Sequence, residues 1–309
     1  SEMCIRDRIM AISTRIYNDQ ALSMLNRITG DIQNIQSRIA TGKNVLKASD
    51  APSISTKISF SKDQKMMIER FNSNIDVTTN RLSQAEVAMT TAVNIMQRVY
   101  EVSIQARNET HGTADRKVFA AEIDNLRDQL LSLANTQDTN GQYIFAGHRV
   151  NTMPFVEDAN GAVQHKGDAG IHTLQISENH RISTGLDGAD VFLRVPNSTG
   201  VASIFTTLDD MVTQLNAGKM DDGHIDKMNK AIEHYTLQQT KIGSQINRAD
   251  LQREVNESRL KLMEEDISNL EDADIAKLVT DLQSKIVSRN AAQQAFVKIS
   301  QDSLFNYLR

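Results

Sequence analysis

The sequence predicts a mainly α-helical protein, an elongated coiled-coil helical bundle built from N- and C-terminal segments, with a small inserted β domain. Three observations predict it. Apolar residues recur at alternating steps of three and four along most of the chain. Glycine and proline gather in one central stretch. Both ends carry a narrow apolar stripe on an otherwise polar helix.

The clearest of these patterns runs from Ile225 to Leu270. Its seam reads Ile225, Met228, Ile232, Tyr235, Gln239, Ile242, Ile246, Ala249, Arg253, Asn256, Leu260, Met263, Ile267, Leu270. Only Gln239, Arg253 and Asn256 break it, and Gly243 is its one glycine. A continuous helix of this span, at about 1.5 Å per residue, is roughly 70 Å long. A buried polar residue in such a seam fixes register at a cost in stability, whereas one facing solvent marks where the bundle ends; the pattern leaves both readings open for the three interruptions.

Taken in order, residues 1–9 share no periodicity with residues 12–39 and hold the single cysteine, Cys4. They are read as a foreign extension, with Met10 as the start. From Ile12 to Ile39 the apolar positions end in Leu25, Ile28, Ile32, Ile35 and Ile39, one narrow stripe. Gly42 offers a helix stop, and Pro52 places a break at Ala48–Pro52. A second long helical region shows Leu82, Ala85, Met89, Ala92, Met96, Val99, Ser103 and Ala106. A turn at Thr110–Asp115 leads into a third helix with Phe119, Ile123, Leu126, Leu130 and Leu133. Met66, Met67, Met89, Met96 and Met263 are read as core or seam fillers.

The composition changes at Asn140. Eight of the 14 glycines and two of the three prolines lie between Asn140 and Gly200. Thr173–Ser177 and Val191–Val195 alternate like strands, and Asn160-Gly161 is a hairpin signal. Helix returns at Ile204–Leu215, a loop occupies Asn216–Gly223, and the long seam begins after it. The acidic cluster at Glu271–Asp274 suggests a helix restart with carboxylates at its N-terminus. The last helix carries Ile275, Leu278, Leu282 and Ile286, then Phe296, Ile299, Leu304 and Leu308.

Composition limits the function. Apolar content of 39% with 5% aromatics and no Trp suits long helices that bury narrow seams. A net charge of −5 implies no general affinity for nucleic acid or anionic membranes. One cysteine permits neither an internal disulfide framework nor a cysteine-based metal site. The N-terminus lacks the apolar core of a cleaved signal, so the expectation is a cytoplasmic protein or one exported by another route.

Chemistry finds little purchase. No helical His pair at i, i+4, P-loop or G-x-S-x-G occurs. His165 and His172 could converge across a hairpin, but ordinary surface histidines are the plainer reading. Asp221-Asp222-Gly223 lacks the alternating oxygen ligands of a calcium loop. Glu264-Glu265 is a solvated helix face. The expectation is no enzyme, no metal and no cofactor.

Certain segments at both ends resemble a known family. Met10-Ala11-Ile12-Ser13-Thr14 opens the chain, Ile39-Ala40-Thr41-Gly42-Lys43 and Ala48-Ser49-Asp50-Ala51-Pro52 come next, and Leu270-Glu271-Asp272-Ala273-Asp274-Ile275-Ala276 with Ala291–Ala295 and Ser303–Leu308 closes it. In this order they are similar to the flagellin superfamily. Asn140–Gly147, with Tyr143, Phe145 and Gly147, running on to Pro154-Phe155, resembles the hook–filament junction branch of that superfamily. Lys166-Gly167-Asp168 and Gly188–Phe192 are similar to its β domain. Ala51 stands where flagellins often have a second Asp, and His165 where the family often has Tyr.

The resemblance implies a secreted structural subunit of the bacterial flagellum. Residues 10–48 and 271–309 would be terminal helices forming an inner tube, 49–139 and 201–270 a helical bundle, and 140–200 a solvent-facing β domain. Ile28, Ile32, Ile35, Ile39, Ile275, Leu278, Leu282, Ile286, Phe296, Leu304 and Leu308 would be the subunit interface. Thr41, Gly42, Asp50, Pro52, Tyr143, Phe145, Gly147, Glu271, Asp272 and Asp274 would be the motif residues. The implied partners are further copies in a ring, the neighbouring junction protein, the filament subunit and a cytoplasmic export chaperone, with type III export to the hook–filament junction. The alternatives are a filament subunit of the same superfamily and a cytoplasmic coiled-coil scaffold.

Overall fold

The computed structural model describes the backbone of residues 2–108, 112–159, 161–197 and 200–307, and within these the side chains of 16 and 18–298. The fold is mainly helical. Long N- and C-terminal helices pack together, and a small β region lies in the middle of the chain. The contacts divide the chain into two units, one of residues 1–66 with 261–309 and one of residues 67–260.

In the first unit, α1 (Glu2–Thr41) packs against α7 (Ile275–Tyr307). The backbone of α1 is continuous from Glu2 and does not break at Met10. It ends where the sequence places its stop: Gly42 has φ +69°, a left-handed conformation that glycine adopts without a Cβ penalty. After the break, Pro52 is the first residue of α2 (Pro52–Arg107), where its missing N–H costs nothing and its fixed φ suits the helix. Asp274 starts α7 by accepting the Lys277 amide at 3.0 Å, an N-terminal cap. Ile28, Ile32, Ile35, Ile58 and Leu278 are the buried apolar residues here. Met66 is 58% exposed, so it is not the seam filler expected of it; its neighbour Ile68 takes the buried position.

The second unit is built on α2 and α6 (Asp222–Glu271), with α3 (Thr113–Ala134) and α5 (Ile204–Asn216) packed together beside them. Of the turn expected at Thr110–Asp115, residues 110 and 111 lie outside the described residues, and α3 takes over from Thr113. Every position of the Ile225–Leu270 seam is buried or half-buried. The polar interruptions all find partners. Asn256 is fully buried and donates to Asn72 Oδ1 at 2.9 Å and to the Ile176 carbonyl at 3.2 Å. Arg253 pairs with Asp76 at 2.8 Å, and Gln239 donates to the Thr90 hydroxyl at 2.9 Å. The register reading therefore holds for Asn256, whereas Arg253 and Gln239 are half-buried and bond exposed side chains of α2.

The β region is three separate antiparallel hairpins. They are β1 (Phe155–Glu157) with β2 (Val163–His165), β3 (Thr173–Gln175) with β4 (Arg181–Ser183), and β5 (Val195–Asn197) with β6 (Gly200–Ala202). Asn160 of the hairpin signal lies outside the described residues; Gly161 beside it closes the turn, its amide donating to the Asp158 carbonyl at 3.0 Å. Val191–Val195 is not a strand. Asp187 caps a short helix, α4 (Gly188–Phe192), and the chain extends only from Val195. The cap turns consecutive residues Val191 and Phe192 both into the core, which an extended chain could not do.

The first and third hairpins share the main core with the helices, while Ile176 and Ile182 of the second pack in a separate cluster with Ile75 of α2 and Ala249 of α6. Phe192 meets Phe145, Phe155, Phe205 and Tyr235 of α6, and all five lie in the same cluster as Leu82 and Met89 of α2. Phe145 and Phe192 are T-shaped with centroids 5.3 Å apart, a favoured aromatic arrangement. Arg127, only 5% exposed, ties α3 to the first hairpin and to α5: it pairs with Glu157 and Asp209, both at 2.5 Å, and donates to the Gly161 carbonyl at 2.9 Å.

Candidate functional site

The stripes of α1 and α7 face each other in part. Ile28, Ile32, Ile35 and Leu278 are buried, while Ile39, Leu282, Ile286 and Phe296 are half-buried. Ile275 is 41% exposed and stays outside this contact. Ile299, Leu304 and Leu308 lie outside the residues whose side chains are described. Lys285 of α7 pairs with Asp31 of α1 at 2.6 Å. The same two helices leave a second apolar set bare: Ile16, Leu22, Met24, Val279, Val287 and Val297 are all exposed. An open groove of about 380 Å³ runs between them, walled by Met24 and Leu25 on one side and Ala292 and Phe296 on the other. Two helices alone thus cover only part of their apolar surface.

The motif residues at the two ends form a clasp. Where the chain leaves α1, the Asn44 amide donates to the Glu271 carbonyl at 2.7 Å and the Ala273 amide to the Gly42 carbonyl at 2.9 Å, with Lys43 bridged to Asp272. The Glu271 carboxylate is buried and receives Lys43 Nζ at 2.5 Å and Lys62 Nζ at 2.6 Å. Hydrogen bonds from these two ammonium groups, Lys43 first, hold its carboxyl below the usual range. Asp272 accepts from the Ser268 hydroxyl at 2.5 Å. Thr41 donates its hydroxyl to the Ser37 carbonyl at 2.8 Å, and Asp50 accepts the Lys47 amide at 3.1 Å in the turn before Pro52. The motif residues of the ends are thus those that close α1 and the return of α6 against each other. Lys62 belongs to the clasp and had no signal in the sequence, because a single lysine on a helix face carries no periodicity.

The central motif serves a different purpose. The Tyr143 amide donates to the Val150 carbonyl at 2.8 Å, and Arg81 of α2 donates to the Tyr143 carbonyl at 3.1 Å. Phe145 is fully buried in the aromatic cluster. Gly147 has φ +70°, and a Cβ there would collide with the Asp168 carbonyl oxygen, so the turn closes only on glycine. These residues build the hairpin region onto α2; they are not a surface.

The β3–β4 hairpin is pinned to both long helices. Asn74 donates to the Gln175 carbonyl at 2.7 Å, and Arg259 grips Glu178 through two bonds of 2.6 and 3.0 Å. That grip lowers the Glu178 carboxyl to about 2. His172 does not join His165. It meets His148, with Nε2 3.4 Å from His148 Nδ1, while His165 packs on Phe155. Among the described residues, no group of three or more His, Cys, Asp or Glu side chains is placed to hold a metal ion, and no helix is long and apolar enough to cross a membrane.

Comparison with known proteins adds the family. Residues 12–150 match the bacterial flagellin N-terminal helical region. The chain is 24% identical to flagellar hook-associated protein 3 of Escherichia coli over 96% of this chain and 99% of that one. It is likewise 24% identical to the protein of that name in Salmonella typhimurium, over 97% and 100% of the two chains. The crystal structure of flagellar hook-associated protein 3 from Legionella pneumophila shares the fold, with a TM-score of 0.65 and 20% identity over 69% of this chain and 98% of that one. The chain thus carries a segment matching the flagellin N-terminal helical region and is similar along nearly its whole length to flagellar hook-associated protein 3.

Proposed function

We propose that the chain is a structural, non-catalytic subunit of the bacterial flagellum that joins the hook to the filament. The observation that carries this reading is the end-to-end similarity to flagellar hook-associated protein 3, which spans 96% of the chain. The half-covered apolar surface of α1 and α7 supports it physically. Ordering a residue costs about 1–2 kcal/mol, and a narrow stripe buried on one side offsets little of that. Neighbouring copies stacked on Ile16, Leu22, Met24, Val287 and Val297 would supply the remainder.

On this reading residues 10–48 and 271–309 line the inner tube, with Ile28, Ile32, Ile35 and Leu278 holding α1 to α7 and the exposed apolar set of the two helices turned to the neighbouring subunits. The partners are copies of itself in a ring, the adjacent hook-associated junction protein, flagellin, and a cytoplasmic chaperone before type III export. The working location is extracellular, at the hook–filament junction. The test is deletion in the source bacterium with microscopy and analysis of the medium. Loss is expected to leave hooks without filaments and to spill flagellin into the medium, with rescue by the intact gene. Normal filaments in the deletion strain, or flagellin retained in the cell, would overturn the reading.

A further inference from the structure

Two imidazoles meet where the central motif turns back on the β region. His148 Nδ1 and His172 Nε2 are 3.4 Å apart, and the rings are T-shaped with centroids 4.5 Å apart. Both residues are exposed, so protons reach the rings freely. The approach depends on Gly170, where a Cβ would collide with the His148 ring. Behind the pair, Asp168 Oδ1 accepts the His148 amide at 2.7 Å and the Gly170 amide at 3.0 Å, so one carboxylate ties both histidine-bearing segments together.

One proton can be shared across such a contact; two cannot, because both nitrogens would then carry N–H bonds and positive charge at 3.4 Å. The surrounding charges do not relieve this. Arg81 on α2, itself paired with Asp138 at 3.5 Å, and Arg149 beside His148 are cationic, and Asp168 is the carboxylate that faces the rings. The ends of β3 and β4 add only Thr184, whose hydroxyl bonds the His172 carbonyl at 3.2 Å.

We propose that the His148–His172 contact is a proton-released latch: neutral rings hold the turn at 146–149 against the segment at 170–173, and double protonation separates them. Partial desolvation by the packed segments around the exposed ring, and then His148, push the His172 imidazole below its ordinary value. Above the ordinary imidazole range, about pH 6.5, the latch is intact; as pH falls below it, the unfolded or opened chain binds protons more readily and the latch weakens. Asp168 remains ionised through this window, because the amides of His148 and Gly170 hold its carboxyl down, so opening there is not a carboxylate effect.

The test is amide hydrogen exchange on the full chain at pH 7.5 and 5.5, corrected for intrinsic rates, alongside the same measurement on His172→Gln and His148→Gln. Protection of the His148 and Gly170 amides is expected to fall about fivefold or more on acidification in the wild type, with Lys277 on its Asp274 cap unchanged. In both variants the pH response should vanish. Unchanged wild-type protection across the two pH values, or a full response persisting in either variant, would overturn the latch.

Discussion

Glu271 and Lys43 lie near opposite ends of the sequence, yet their side chains meet at 2.5 Å, and Lys62 closes on the same carboxylate from α2 at 2.6 Å. This contact holds the exit from α1 to the end of α6. Because the folded carboxyl lies below its ordinary range, its contribution is fully present above about pH 4.5 and is lost as pH falls through the folded value. Glu271→Gln should lower protection of the Asn44 and Ala273 amides at pH 7 and flatten the acid limb of thermal stability. Hydrogen exchange and melting curves from pH 3 to 7 check both; an unaltered acid limb would refute the clasp.

Asn256 is the second place where a polar side chain organises distant segments. It links Asn72 of α2, the Ile176 carbonyl of the β3–β4 turn and Gln252 within α6. Asn256→Ala leaves a buried carbonyl without its donor and should cost about 2 kcal/mol. Urea denaturation measures this, and a loss under about 0.5 kcal/mol would show the network to be dispensable.

The helices were legible because their burial follows one period. The Ile225–Leu270 seam repeats at the spacing of a packed helix, and its polar interruptions kept that phase. Gly42 and Pro52 marked ends for local steric reasons that any context preserves. Val191–Val195 misled because alternation over five residues is weak beside a capping Asp187 one turn earlier. Arg127 and Lys62 were invisible for another reason. Each is one polar residue on a helix whose partners, Glu157, Asp209 and Glu271, are distant in sequence, and a pairing of that kind leaves no local pattern. The end motifs were legible by resemblance; that they form a clasp around one carboxylate was not.

Tyr235 gives a contrasting case. Its ring fills the aromatic cluster, but among the described residues its hydroxyl has no hydrogen-bond partner although it is fully buried. Burial alone drives its phenol far above the ordinary value. Tyr235→Phe keeps the packing and removes the uncompensated hydroxyl. Stability should be unchanged or rise by about 1 kcal/mol, readable by urea denaturation; a loss of more than about 1 kcal/mol would mean that the hydroxyl is satisfied in solution.

Ile35 separates folding of the two units from assembly. It is 9% exposed on the face of α1 that meets α7. Ile35→Asp buries an unpaired carboxylate at a cost of several kcal/mol, within the unit of residues 1–66 and 261–309. The variant should be made at normal levels and keep exchange protection at Tyr143 and Ile176, yet fail to restore filaments in a deletion strain. Full restoration of swimming would show that assembly does not need the α1–α7 packing.

The most direct measurement is where the protein lies on intact flagella. Immunogold labelling of purified hook–filament preparations, with an antibody to the 140–200 region, should mark a single band at the boundary between hook and filament. Label spread along the filament would make the chain a filament subunit, and label confined to the cytoplasmic fraction would make it a scaffold; either result contradicts the junction role.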